Sequence, residues 1–290
     1  MKLLIAMDHS EASQAVLKEV AARPWPPKSC VEVLNVVEPA HLWTVSQSAE
    51  EALQLSASLV NDAAEELRRV GLDASGITLR GDAKRVILDR AQETKAEFVF
   101  VGSQGSSALT RFLLGNVAAA VASHAPCSVE IVRMKDGKPR GVHKILLATD
   151  GSEFSERAAQ SIAERPWAAG TEVEVLSVVE LAIGTAQALF EPPYVDSEQF
   201  EGLREEAMKR AQDAVTRAVE ILSKAFPKVE ESISVLLDGP KAVVIGEADR
   251  SGADLIVVGS HGHRGIERFV LGSVSDGVAL HAHGSVEVIR

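Results

Sequence analysis

The 290-residue chain is short of several things, and each shortage removes a class of function. Only two cysteines are present, Cys30 and Cys127, neither with a neighbour at metal or redox spacing, so a disulfide scaffold and a cysteine-ligated metal are set aside. No apolar run approaches the roughly 18 residues of a spanning helix. Met1 leads straight into a strand-like run without a charged, apolar leader, so the expected compartment is the cytoplasm, with no membrane contact. Basic residues are outnumbered, 30 against 41 acidic, for a net charge of -11, and aromatics are 4%. That balance lacks the positive footprint of a nucleic-acid binder, so no nucleic-acid partner is expected. An anionic ligand would have to be held by local backbone donors against the overall field.

What the chain does have is itself, twice. "LLIAMDHSEAS" is answered by "ILLATDGSEFS", and "RPWPPKSCVEVLNVVE" by "RPWAAGTEVEVLSVVE", both displaced by 142 positions. "GSQGSSALTRFLLGN" from 102 is answered by "GSHGHRGIERFVLGS" from 259, displaced by 157. The chain is therefore a tandem duplication with domains at 1–137 and 142–290, joined by a charged, Gly- and Pro-containing linker. The second copy carries about fifteen extra residues around "LFEPPYVDSEQF". It also holds nearly all the acidic excess: 16 basic and 17 acidic side chains lie in 1–141, against 14 and 24 in 142–290.

In each copy apolar runs alternate with helical patterns in the order β-α-β-α-β-α-β-α-β, with long helices predicted near 47–70 and 195–226 and shorter ones near 82–95 and 240–251. The fold class is α/β: two tandem doubly wound domains, each a five-stranded parallel sheet with helices on both faces. Near-continuous apolar strands such as "FVFV" and "LIVV" fit the sheet centre. Ligands of such sheets sit outside the carboxyl ends of the strands, where the order reverses. That rule selects Asp8 and Asp150 after the first strand, Val36 and Val178 near the end of the second, and the glycine strings after the fourth.

Gly259 and Gly262 follow directly on a strand, where glycine lets a ligand approach the backbone. Gly272, Ser273 and Val274 stand at the start of a helical pattern, whose free amides favour phosphate. The string is neither of the two standard phosphate loops. No Gly-Lys-Ser/Thr follows, and the turns after the first strands lack Gly-x-Gly-x-x-Gly. Three glycines alone serve equally well as ordinary turns.

With "ATDGSEFS" after the first strand, "VVGSHG" at the end of the fourth, the Gly-x2-Gly-x9-Gly-Ser spacing and the closing "SVEVIR", the chain resembles the universal stress proteins in their tandem two-domain form, over essentially its whole length. That group shares the adenine nucleotide alpha-hydrolase-like fold. The resemblance implies an ATP-binding cytoplasmic protein of stress response and signalling, with magnesium a candidate companion. By the resemblance, Gly259, Gly262, Gly272 and Ser273 would hold phosphates and ribose, Asp150 would lie at the nucleoside end, and the Val178 backbone would pair with adenine. The first copy keeps Asp8, Val36, Gly102, Gly105 and Gly115, but Asn116 replaces the serine and His9 replaces a glycine. Asparagine can still donate to phosphate, yet the second copy is the stronger candidate.

Other residues carry paired readings. His261 and His263 are candidate phosphate or ribose contacts or a solvated loop; no metal ligand set is assigned. His124 and His281 occupy equivalent places and read as core or capping residues. Arg111 and Arg268 are candidate phosphate cations or surface ion pairs, Trp25 and Trp167 are expected to pack at a helix end, and the insert is a lid or a plain excursion. No catalytic apparatus is assembled: Asp150 and Ser152 lack an evident histidine, and phosphoryl transfer wants a cationic clamp and a positioned water. Slow hydrolysis is compatible with this inventory. An ATP-hydrolysing or adenylyl-transferring enzyme and a scaffold without nucleotide stand as rivals. The two domains are expected to pair within the chain through "SVEIVR" and "SVEVIR", with homodimerisation of whole chains left open.

Overall fold

The computed structural model describes residues 1–38, 49–104, 114–134, 141–180, 197–236, 239–263 and 271–290. The first half runs β1 Lys2–Ala6, α1 Glu11–Ala22, β2 Cys30–Val37, α2 Ala49–Arg69, β3 Asp73–Arg80, α3 Ala83–Thr94, β4 Phe98–Gly102, α4 Asn116–His124 and β5 Ser128–Val132. The second repeats it with β6 Lys144–Ala148, α5 Glu153–Glu164, β7 Glu172–Glu180, α6 Ser197–Leu222, β8 Val229–Leu236, α7 Pro240–Ser251, β9 Leu255–Gly259, α8 Ser273–His281 and β10 Ser285–Ile289. The fold class is α/β with a mostly parallel sheet, as the alternation of elements requires.

All ten strands form one sheet, ordered β3-β2-β1-β4-β5-β10-β9-β6-β7-β8. Each half is parallel within itself, and β1 lies beside β4 as β6 lies beside β9, so the order reverses between those pairs. The halves meet where β5 and β10 run antiparallel, Val286 opposite Ile131, Glu287 opposite Glu130 and Val288 opposite Val129. The edges that β5 and β10 would expose in a lone half thereby cover each other, while β3 and β8 form the two edges of the joined sheet.

The central strands are buried on both faces, which is why their sequences read as unbroken apolar runs rather than alternating ones. Leu3 and Ile5 point to the side covered by α1, α2, α5 and α6, while Leu4 between them points to the side of α3, α4, α7 and α8. Each such side chain contributes roughly 1.5–3 kcal/mol of burial, and both clusters draw on residues of the two halves.

Helix starts differ in a way that matters below. Ser10 and Ser152 cap α1 and α5 by accepting from the amides of Ser13 and Ser155, and Asp82 caps α3 by accepting from Arg85. Gly115, Gly239 and Gly272, which begin α4, α7 and α8, offer no side-chain cap. Ser152 also donates its hydroxyl to the His261 carbonyl at 3.3 Å, tying α5 to the glycine string. Ser152→Ala is expected to cost about 1 kcal/mol in thermal unfolding, the usual value of an N-cap, with Ser152→Thr recovering most of it.

Candidate functional site

A cleft of about 780 Å³ opens in the second half, at the carboxyl ends of β6, β7 and β9. Its size falls within the range of small-molecule sites, roughly 300–1,000 Å³. Asp150, Val178, Gly259, His261, Gly262, His263, Gly272, Ser273 and Val274 all line it, so the structure brings these nine candidates together. They come from three segments distant in the chain, joined because β6 sits between β7 and β9.

The described ends of the glycine string are tied by backbone hydrogen bonds. Ser260 N–H donates to Ile289 at 2.7 Å, and Gly272 N–H returns to the Ser260 carbonyl at 2.9 Å. Those two bonds fix the ends of the loop. The amides of Gly262, Ser273 and Val274 have no acceptor among the described residues, and α8 begins at Gly272 without a side-chain cap. Bare amides at the positive end of a helix are a ready site for an anion.

The three glycines do different work. A Cβ on Gly259 would stand 2.7 Å from the Phe154 carbonyl carbon and 2.8 Å from Ser155 N, so β9 can lie against the start of α5 only if that side chain is missing. A Cβ on Gly262 would meet Asp150 Oδ2 at 2.5 Å. Gly272 is unlike either: its φ of -61° suits any residue, and the nearest protein atom to its Cβ position, His261 Cα, is at ordinary contact distance, 3.4 Å. Among the described residues nothing requires glycine there, and Gly272 lines the cleft.

Asp150 is fixed rather than swinging free. Its Oδ1 accepts from Ser152 N–H at 3.0 Å and its Oδ2 from His263 N–H at 3.2 Å. Partial burial pushes its pKa up, but the bonds from Ser152 and His263 and the neighbouring His263 ring outweigh that and hold the carboxyl below its usual range. His263 therefore stands beside Asp150, a neighbour that the sequence alone does not make evident, but its Nε2 donates to the Asp150 carbonyl at 2.8 Å. With the Ser152 hydroxyl committed to the His261 carbonyl, no serine-histidine relay is formed among these residues. His261 is buried, its ring 5.0 Å from that of Phe154 and its Nδ1 3.1 Å from Ser260 Oγ.

Sequence reading missed part of the lining. Leu176, Val179, Val244 and Val258 add an apolar wall, and Thr149 and Ser275 add hydroxyls. Arg210, exposed on α6, brings a cation that has no ion-pair partner among the described residues. Its signal in the sequence is only its place on a helix that follows the second strand. The cation candidates Arg111 and Arg268 lie outside the described residues, as do Gly105, most of the linker and most of the insert read as a lid. Among the described residues no group of three or more His, Cys, Asp or Glu could hold a metal ion. No helix among them is long and apolar enough to cross a membrane.

The first half builds the same loop ends: Ser103 N–H donates to Val132 at 3.0 Å and Gly115 N–H to Ser103 at 2.7 Å. Around them it differs. Gly151 takes a φ of +77° where the first copy has His9, which does not share that conformation. The Asp8 carboxylate accepts from Ser10 N–H at 3.0 Å and from Ser13 Oγ at 2.7 Å, turned to the start of α1. Asp82 caps α3 where Gly239 begins α7, so the first half carries an acid at a position where the second has none. Asn116 is the first residue of α4, and Val36 is half-buried on β2. His124 is exposed and its ring contacts the Ala120 carbonyl at 3.0 Å, so it caps the last turn of α4 rather than filling the core; His281 is exposed at the matching turn of α8. Trp25 and Trp167 pack at helix ends as read, their indoles donating to Val20 and Ile162.

Comparison with known proteins agrees with the repeat and the sheet order. The sequence profile of the universal stress protein family matches residues 1–133 and again 141–290. A universal stress protein of Mycobacterium tuberculosis is 32% identical over 193 residues, covering 65% of this chain and 59% of that protein, so the chain spans about three fifths of its length. One from Mycolicibacterium smegmatis is 25% identical over 302 residues, covering 99% of this chain and 96% of its own. The crystal structure of a universal stress protein from Archaeoglobus fulgidus matches with a TM-score of 0.65 at 20% identity, over 100% of this chain and 98% of that one, a likeness of fold. With two matched copies, joined in one sheet through their last strands, the chain belongs to the universal stress protein family in its tandem form.

Proposed function

We propose that the second half of the chain binds an adenine nucleotide, ATP with magnesium, and that the protein acts in stress response through nucleotide-dependent conformation or partner choice rather than turnover. The observation that carries this reading is the uncapped start of α8, whose amides and that of Gly262 open into a nucleotide-sized cleft. Those amides supply donors for a phosphate tail in place of the absent lysine. The apolar wall of Leu176, Val178, Val179 and Val258 suits a purine. Asp150, ionised at neutral pH, repels phosphate and therefore suits the ribose hydroxyls or the magnesium that accompanies the tail. Arg210 adds a cation to the lining of the cleft. In the first half Asp82, Asn116 and His9 all disfavour a phosphate tail relative to their counterparts, and binding there is expected to be weaker.

Titration calorimetry of the full chain with ATP tests this, alongside mass spectrometry of nucleotide released from protein purified without added ligand. Binding is expected to persist in Gly115→Val and to weaken in Gly272→Val. Absence of heat in every variant, with no nucleotide released, would leave a scaffold. Sustained release of ADP or AMP at ordinary enzyme rates, about 1–1,000 per second, would instead make the protein an enzyme.

A further inference from the structure

The junction between the halves holds a cluster of buried charge far richer than strand pairing needs. Glu130 on β5 and Glu287 on β10 stand directly opposite in the antiparallel register, and each is 0% exposed. Arg23, ending α1, grips Glu130 with two bonds, Nη1 to Oε2 at 2.8 Å and Nη2 to Oε1 at 2.7 Å. Arg165, ending α5, grips Glu287 in the same way at 2.8 and 2.5 Å. The arginines cross the boundary between copies: the Arg165 guanidinium lies 4.7 Å from the Phe98 ring, and that of Arg23 lies 5.3 Å from Trp167.

The symmetry is broken at one position. On α1 Glu19 adds a third carboxylate, 2.9 Å from Arg23 Nη2, whereas the matching residue of α5 is Ser161, whose carbonyl accepts from Arg165 Nε. Three carboxylates and two guanidiniums are thus enclosed together, all 5% exposed or less at the side chain. Arg23 Nη1 reaches toward Glu287 only at 4.0 Å, and among the described residues Glu19 has no ion-pair partner besides the Arg23 that Glu130 already holds. The strands flanking the pair present apolar residues, Phe100 opposite Glu130 and Val257 opposite Glu287. Beyond the cluster, Asp254 and His143 act on Glu19 with opposing signs. An uncompensated buried charge is removed most cheaply by a proton.

We propose that this junction is a proton-binding site, Glu130 carrying the proton that neutralises the three-acid, two-arginine cluster, so that the two halves pair more tightly as pH falls. Burial drives the Glu130 pKa up against the pull of Arg23, with Glu287 and Glu19 adding to the rise, to about 7. The sign follows directly. Between the ordinary glutamate value and about 7 the folded chain holds a proton that the unfolded chain releases, so stability falls as pH rises through that window and levels off above it.

Infrared difference spectroscopy of the full chain tests this without a variant having to fold. A protonated-carboxyl carbonyl stretch is expected at about pH 5 and is lost with a midpoint near neutrality. In Glu130→Gln, which mimics the neutral form, that band disappears and the fall in melting temperature between about pH 5 and 8 shrinks relative to the parent. Glu19→Gln, which removes the odd charge, is expected to move the midpoint down. No buried carboxyl titrating in this range in the parent chain, or an unchanged band in Glu130→Gln, would overturn the assignment.

Discussion

Arg165→Leu is expected to destabilise the chain by about 3–5 kcal/mol, the cost of leaving a buried charge without its partner. Glu287 is 0% exposed and both its oxygens are taken by Arg165; the next guanidinium group, that of Arg23, is 4.0 Å away and bound to Glu130. Leucine fills part of the volume but returns no donor, and the contacts of the guanidinium with Phe98 and Trp167 are lost as well. Urea unfolding near neutral pH reads the loss. Arg85→Ala is the control: its pair with Asp89 is exposed on both sides, and pairs of that kind contribute about 0–1 kcal/mol. A loss for Arg165→Leu as small as for Arg85→Ala would mean that the junction is not where the halves are held.

Gly272→Val is expected to lower ATP affinity about 100-fold or more, roughly 2.8 kcal/mol, while changing stability little. The backbone at Gly272 is extended and open to any residue, and the nearest atom to its Cβ position is at ordinary contact distance. The added methyls project where a phosphate must approach the start of α8. Gly259→Ala should behave in the opposite sense. Its Cβ would press on the backbone of Phe154 and Ser155, forcing β9 and α5 apart, with a stability loss of about 1–3 kcal/mol that precedes any effect on binding. Paired calorimetry and thermal unfolding on the two variants separate a glycine kept for the ligand from one kept for the fold. Equal stability losses in both would end that distinction.

The architecture was legible because it is written twice. Apolar runs such as "LIVV" specify strands buried on both faces, and α7 was read at 240–251, where it lies. The long helices begin at Ala49 and Ser197, about two residues inside the predicted starts and directly after Ser48 and Asp196, residue types that favour an N-cap. The site was legible where backbone does the work: Asp150, Val178 and the glycines are selected by their place at strand ends. Arg210 was not, since a cation on an amphipathic helix looks like any solvated residue until the fold shows which way it faces. The buried cluster was hidden for a related reason. "RPW" and "SVE" stand out in the sequence only as repeats, because a glutamate within an apolar strand and its arginine more than a hundred residues away in the same half are brought together only by the fold. Which of the glycines the fold itself requires also escaped, because all three look alike as letters and differ only in what a Cβ would strike.

The amides themselves give the most direct test. In nitrogen-proton correlation spectra of the full chain titrated with ATP, the Gly262, Ser273 and Val274 amides are predicted to shift furthest and together, ahead of Gly115 and Asn116 in the first half. If those three resonances stay still while ATP binds, or if no amide in the chain responds at all, the phosphate-holding role of the bare helix start is contradicted.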